Sequence, residues 1–279
     1  AFPDATLMPV GGAHARLDVT DAAAVARLVE AGPPDACLHL AAVTHVPTAT
    51  SDPDLAWRVN LHGTLVLARA LQKANPACVF VYVSSGEVYG RSFAAGTPLD
   101  ETGLLAPMNT YAATKAAADL AIGAMAASGL HAIRLRPFNH TGAGQAPNFV
   151  VPAFARQVAR IALGLQPPHM QVGALDPCRD FLDVRDVCDA YVACLAHAGS
   201  IAPGSIFNLC SGVPRRIGDI LGALQALAGV APEVTTGTAL LRRAEIPSAT
   251  GDASAAQAAF GWAPRIAWQQ TLADVLADW

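Results

Sequence analysis

Val79-Phe80-Val81-Tyr82-Val83-Ser84-Ser85-Gly86-Glu87-Val88-Tyr89-Gly90, with Tyr111-Ala112-Ala113-Thr114-Lys115 after a loop, decides how this chain is read. Its first five residues are continuously apolar, as expected of a strand buried on both faces of a parallel sheet. The strand runs out into two hydroxyls and a carboxylate. Tyr111 then opens an alanine-rich helix, and the helical repeat puts Lys115 on the same face. A Tyr and a Lys on one face, with a Ser presented by a neighbouring strand end, make a proton-transfer device. A free phenol titrates near ~10, and a nearby ammonium is expected to pull it toward neutrality. The phenol could then exchange a proton with an oxygen on a reacting carbon. Ser85 could bond that oxygen and stabilise its developing charge. The plainer alternative is a Tyr packed beside a solvated Lys. The combination of strand, SSxE, VYG and YxxxK favours the chemistry.

Outward from this stretch, strands and helices alternate, which argues for an α/β doubly wound parallel sheet. Before it, Asp21 or Thr20 suits the cap of a helix over 22–30. Asp18, where a strand is expected to end, is either a turn acid or a hydrogen-bond partner for an adenine amino group. Residues 35–42 read as a buried strand ending in Ala41-Ala42, small enough to let a dinucleotide approach. Residues 53–75 read as one helix interrupted by Asn60 and Gly63. Asn60 either positions Lys115, directly or through water, or is partly exposed. After the catalytic helix, 111–128, comes a strand over 132–136 broken by Pro137. The loop Phe138–Gln145 is polar and glycine-containing, which suits a ligand. Helices follow over 148–165, 186–197, 217–227 and 266–279, with a strand over 205–209. Residues 1–145 with 182–209 are expected to form one unit, and 146–181 with 210–279 a smaller interleaved lobe.

With 279 residues, 53% of them hydrophobic, the chain can bury a large core in one or two domains. A net charge of −4 argues against nucleic acid as a partner. No apolar run approaches the ~18 residues of a membrane span. The six cysteines form no CxxC and are expected to be reduced, mostly buried thiols of a cytoplasmic protein. The eight histidines are scattered, and no metal is expected.

These motifs resemble the extended short-chain dehydrogenase/reductases that act on nucleotide-sugars, from Asp18 nearly to the end of the chain. The resemblance implies a Rossmann-type sheet with an interleaved substrate-binding lobe. That family opens with a strand and a glycine-rich pyrophosphate turn. Both are absent from this sequence, which is expected to lack that segment. Ser85, Tyr111 and Lys115 match the catalytic trio. Glu87 stands where the related 4,6-dehydratases keep the base that helps eliminate water; its alternative is a loop carboxylate bonding an amide or a sugar hydroxyl. The resemblance implies that NADP(H) or NAD(H) is lined by Asp18, Val19, Leu40, Ala41, Ala42, Asn60, Val83, Tyr111, Lys115 and Pro137. It implies a GDP-sugar substrate held by Ser85, Glu87, Asn139, Asn148, Val150, Arg179, Arg242 and Glu245. Arg179 and Arg242 match diphosphate-holding positions, where a guanidinium fork suits the ligand; a surface ion pair between Arg179 and Asp180 is the alternative. The loop wording, Asn139–Gln145, Asn148–Pro152 and Val172–Asp176, is most similar to the branch that reduces the C4 ketone of a GDP-4-keto-6-deoxy-hexose. A 4,6-dehydratase or epimerase, and a non-catalytic NAD(P) sensor, stay open beside it. A homodimer is implied, through helices within 55–73 and 111–128.

Overall fold

The run Val79–Val83 is an inner strand in the computed structural model, which describes residues 2, 4–10, 17–237 and 246–279. In chain order the elements that position the site are α1 (Ala22–Ala31), β1 (Ala36–His39), α2 (Val46–Ser51), α3 (Pro53–Trp57), a π turn (Arg58–Gly63), α4 (Thr64–Ala74), β2 (Val79–Val83) and a 3₁₀ segment (Gly86–Ala95). There follow α5 (Thr110–Ala127), β3 (Ala132–Pro137), β4 (Asn139–Thr141), α6 (Val150–Ala162), β5 (His169–Val172), β6 (Cys178–Asp183), α7 (Val184–Ala196) and β7 (Ile206–Leu209). The chain closes with β8 (Pro214–Arg216), α8 (Ile217–Ala228), β9 (Glu233–Thr236), β10 (Ser248–Ala249), α9 (Ser254–Phe260) and α10 (Trp268–Ala277).

The central sheet runs β1-β2-β3-β7 with every pairing parallel. Parallel neighbours need crossovers, which the helices supply on both faces. Because side chains alternate, Phe80 and Tyr82 of β2 pack against α1, α4 and α5. Val81 and Val83 pack on the other face with α7 and Trp262. The expected doubly wound sheet is therefore present.

A second core joins α6, β5, α8 and α10 around Phe154, Met170, Ile220 and Leu272. Strand β6 serves both cores: Phe181 faces the second and Leu182 the first. The expected boundary at 210 needs one correction. Helix α9 and Trp262 pack on the central sheet, so part of 210–279 belongs with the first core. A third cluster, with Val88, Tyr89, Phe93 and Phe138, lies between the two. Phe138 fits there because Gly86 and Gly251 have no Cβ; an added one would come within 2.9 and 2.5 Å of its ring.

Residues 53–75 are not one regular helix. α3 and α4 are joined through the π turn, where Gly63 lets Val19 approach; a Cβ there would lie 2.6 Å from Val19 Cγ2. Gly90 has φ +47°, and a Cβ would strike the Ala106 carbonyl, so only glycine fits this corner. All six cysteines are free. Cys78, Cys194 and Cys210 are buried, Cys37 and Cys178 partly so, and Cys188 is exposed. Among the described residues no helix is long and apolar enough to cross a membrane.

Candidate active site

The carboxyl ends of β1, β2 and β3 lie along one edge of the sheet, set by the registers His39↔Tyr82 and Val83↔Leu135. Ligands of such sheets bind at this edge. Leu40 and Ala41 are exposed just beyond β1, Ser84 and Ser85 leave β2, and Pro137 ends β3. Ser85 caps the 3₁₀ segment, its Oγ accepting from Glu87 N at 3.2 Å.

Asn109 starts α5, its Oδ1 accepting from Ala112 N at 2.8 Å. Its Nδ2 donates to Glu87 Oε2 at 3.4 Å, tying the carboxylate to the helix that carries Tyr111. Ser85 is near enough to Tyr111 to favour its phenolate. Ser85, Glu87 and Tyr111 are thus brought together.

Lys115 is buried and donates to the Val83 carbonyl at 2.5 Å, with its ammonium 4.7 Å over the Tyr82 ring. Here the structure corrects one expectation. Burial pushes the Tyr111 phenol up to about 12; the Ser85 bond opposes this and the Glu87 carboxylate adds to it. Burial also pulls Lys115 down to about 7, against the carboxylate of Asp119. Tyr111 therefore stays protonated at neutral pH, as a proton donor requires.

The lysine shift has a measurable consequence. Below about 7 the folded and unfolded chains both hold this proton, and the burial cost is felt in full. From there up to the ordinary value of 10.5 the folded form sheds a proton that the unfolded form keeps, so stability rises with pH. Lys115→Met should melt higher than wild type at pH 6, and the gap should narrow by pH 9. Thermal melts without cofactor test this; a gap that does not change with pH contradicts it.

Asn60 is buried, but no bond from it to Lys115 is found among the described residues. Its amide holds Val43, accepting from the N–H at 2.7 Å and donating to the C=O at 3.1 Å. It also donates to Thr114 Oγ1 at 2.9 Å. It therefore fixes the loop after Ala42 against α5, one residue before Lys115. Asn60 lies within the π turn, a winding often found at functional sites. His39, absent from the sequence reading, shares a 2.9 Å hydrogen bond with Thr64 Oγ1. Burial, then Lys115, lower it to about 3, so it is neutral.

Behind the site lies a buried ion pair that the sequence reading missed. Asp119, one turn beyond Lys115, accepts from Arg136 Nε at 2.9 Å and from Arg134 at 3.1 Å. Arg136 also donates to Tyr89 Oη at 2.9 Å, and Tyr89 donates to Asn208 Oδ1 at 2.7 Å. The signal was there: an acid four residues after Lys115 and two arginines at alternate positions of a buried strand.

Asp18 is an exposed turn acid whose Oδ1 accepts from Thr20 N at 2.9 Å and Thr20 Oγ1 at 2.7 Å. These bonds lower its pKa. In the second lobe Arg179 is half-buried and donates to the Cys178 and Ile246 carbonyls, each at 2.8 Å. Asp180 is buried and accepts from Ser211 N at 2.7 Å, Ser211 Oγ at 2.6 Å and Gly212 N at 2.9 Å. Asn139 and Val150 are half-buried and Asn148 is exposed. Arg242 and Glu245 lie outside the described residues.

The family model described as GDP-mannose 4,6 dehydratase matches residues 13–275. The GDP-6-deoxy-D-mannose reductase of Pseudomonas aeruginosa is 40% identical over 247 residues, 88% of this chain and 80% of that protein. The structure of RMD from P. aeruginosa complexed with NADPH matches with a TM-score of 0.89 and 37% identity, covering 98% of this chain and 89% of that one. The UDP-glucose 4-epimerase of Thermus thermophilus in complex with NAD matches at 0.81 and 28% identity, over 94% and 83% of the two chains.

Proposed function

Because the chain belongs to the GDP-mannose 4,6-dehydratase family, we propose that it reduces the C4 ketone of a GDP-4-keto-6-deoxy-hexose with NADPH or NADH. The observation that carries this reading is the chain of bonds from Ser85 through Glu87 and Asn109 to the helix that bears Tyr111 and the buried Lys115, at the carboxyl edge of a parallel sheet. The residues at that edge fit a nicotinamide cofactor. Among the described residues the buried Ser84 Oγ has no hydrogen-bond partner, which a ligand group could supply. Lys115 has spare donors that would suit ribose hydroxyls. A reduced nicotinamide bound there would supply the hydride for the ketone carbon. Tyr111 gives its proton to the ketone oxygen as charge grows there, and Ser85 donates a hydrogen bond to the same oxygen. Glu87 disfavours the phenolate, holding Tyr111 ready as an acid.

Glu87 also favours a second reading, a dehydratase or epimerase that would retain its cofactor. One measurement separates the two. Supplied with GDP-4-keto-6-deoxy-mannose and NADPH, the reductase should oxidise one NADPH for each C4 alcohol formed. Product formed without NADPH loss would support the second reading. A cytoplasmic homodimer is part of the proposal. The outer side of α5, where Leu120 is exposed, supports the expected helix contact.

A further inference from the structure

The strands β6 and β8 pair antiparallel, with Arg179 directly opposite Arg215. Residues directly opposite in such a ladder project to the same face, and like charges there repel. Arg215 is half-buried, its guanidinium 4.9 Å over the Trp268 ring, and burial lowers its pKa against the pull of Asp180. Its hydrogen bonds go to neutral acceptors, Ser211 Oγ at 3.4 Å and the Val213 carbonyl at 3.2 Å. Among the described residues no carboxylate lies within ion-pair distance of it. The acid whose charge it feels, Asp180, is already committed to the Ser211 and Gly212 donors. The next residue behaves differently: Arg216 pairs at the surface with Asp176 at 2.6 Å and Asp219 at 3.5 Å. Phe181, two residues after Arg179, packs 5.6 Å from Trp268, so the aromatic pair forms the floor of this arginine face.

We infer that Arg215 binds the diphosphate of a nucleoside-diphosphate ligand together with Arg179. The inference rests on the reading of this lobe as a nucleotide-sugar site. Two planar forks set opposite one another suit the non-bridging oxygens of two linked phosphates.

The test compares full-length wild type with Arg215→Gln and Arg215→Lys by calorimetric titration of GDP and of guanosine. Arg215→Gln should weaken GDP roughly 10- to 100-fold, the loss expected for charge-assisted hydrogen bonds. Guanosine and NADPH binding should be unchanged. Arg215→Lys keeps the charge without the fork and should fall between. A variant that loses GDP and guanosine equally, or neither, overturns the inference, as does a wild type that binds both equally. Repeating the pair with UDP and uridine, and with dTDP and thymidine, tests the guanine reading separately. If wild type prefers another base, the diphosphate-to-nucleoside ratio is read on that base.

Discussion

Tyr111→Phe is expected to lower kcat for ketone reduction by about a hundred- to ten-thousandfold, while GDP and NADPH binding stay near wild type. The substitution removes one oxygen and leaves the ring that packs beside Ser85. General-acid catalysis by a positioned side chain contributes about 10²–10⁴-fold. The phenol is the donor available at neutral pH, because burial and the Glu87 carboxylate both hold its proton on. Stopped-flow oxidation of NADPH with saturating substrate reads the step. A rate within a few-fold of wild type would mean that the proton comes from elsewhere and would remove Tyr111 from the mechanism.

The second large effect concerns stability. Asp119→Ala should destabilise the fold by about 3–5 kcal/mol, the range for removing one partner of a buried ion pair. Asp119 is fully buried, and its removal strands Arg136, itself 2% exposed, along with Arg134. For a chain of this size about 1 kcal/mol moves the midpoint by roughly 2–4 °C, so a drop near ~10 °C is expected in a thermal melt. Asp119→Asn keeps acceptor capacity without the charge and should lose less. If the alanine variant melts within about 2 °C of wild type, the two guanidinium groups have found other partners and the pair is not what anchors α5 to β3.

Much of this was legible from the residues. The apolar runs of β2 and β3 announced strands buried on both sides, because nothing polar interrupts β2 until the sheet's edge and only the two arginines interrupt β3. The helical repeat alone brought Tyr111 and Lys115 to one face. Their electrostatics were not legible: a spacing rule gives proximity but not burial, and burial reversed the expected direction for Tyr111. Asp119 and its arginines are separated by a helix end, a turn and a strand, so their meeting depends on how α5 lies on β3. The π turn escaped for a similar reason. The interruption at Asn60 and Gly63 was legible, but its winding was not, because the contacts around the bulge are to Val19, Val43 and Thr114 from distant parts of the chain.

That turn carries a constraint on chain length. Each helical residue advances the winding by about 100°. Excising one residue between Arg58 and Gly63 would let ordinary helical bonding resume, which favours the helix taken by itself. It would leave the phase of α4, whose Leu67, Ala68 and Leu71 cover the sheet, nearly unchanged, because five ordinary helical residues wind about as far as six in the wider turn. What it would withdraw is the Asn60 amide from Val43 and Thr114, so a change in residue count is felt at the loop after Ala42 rather than in the core.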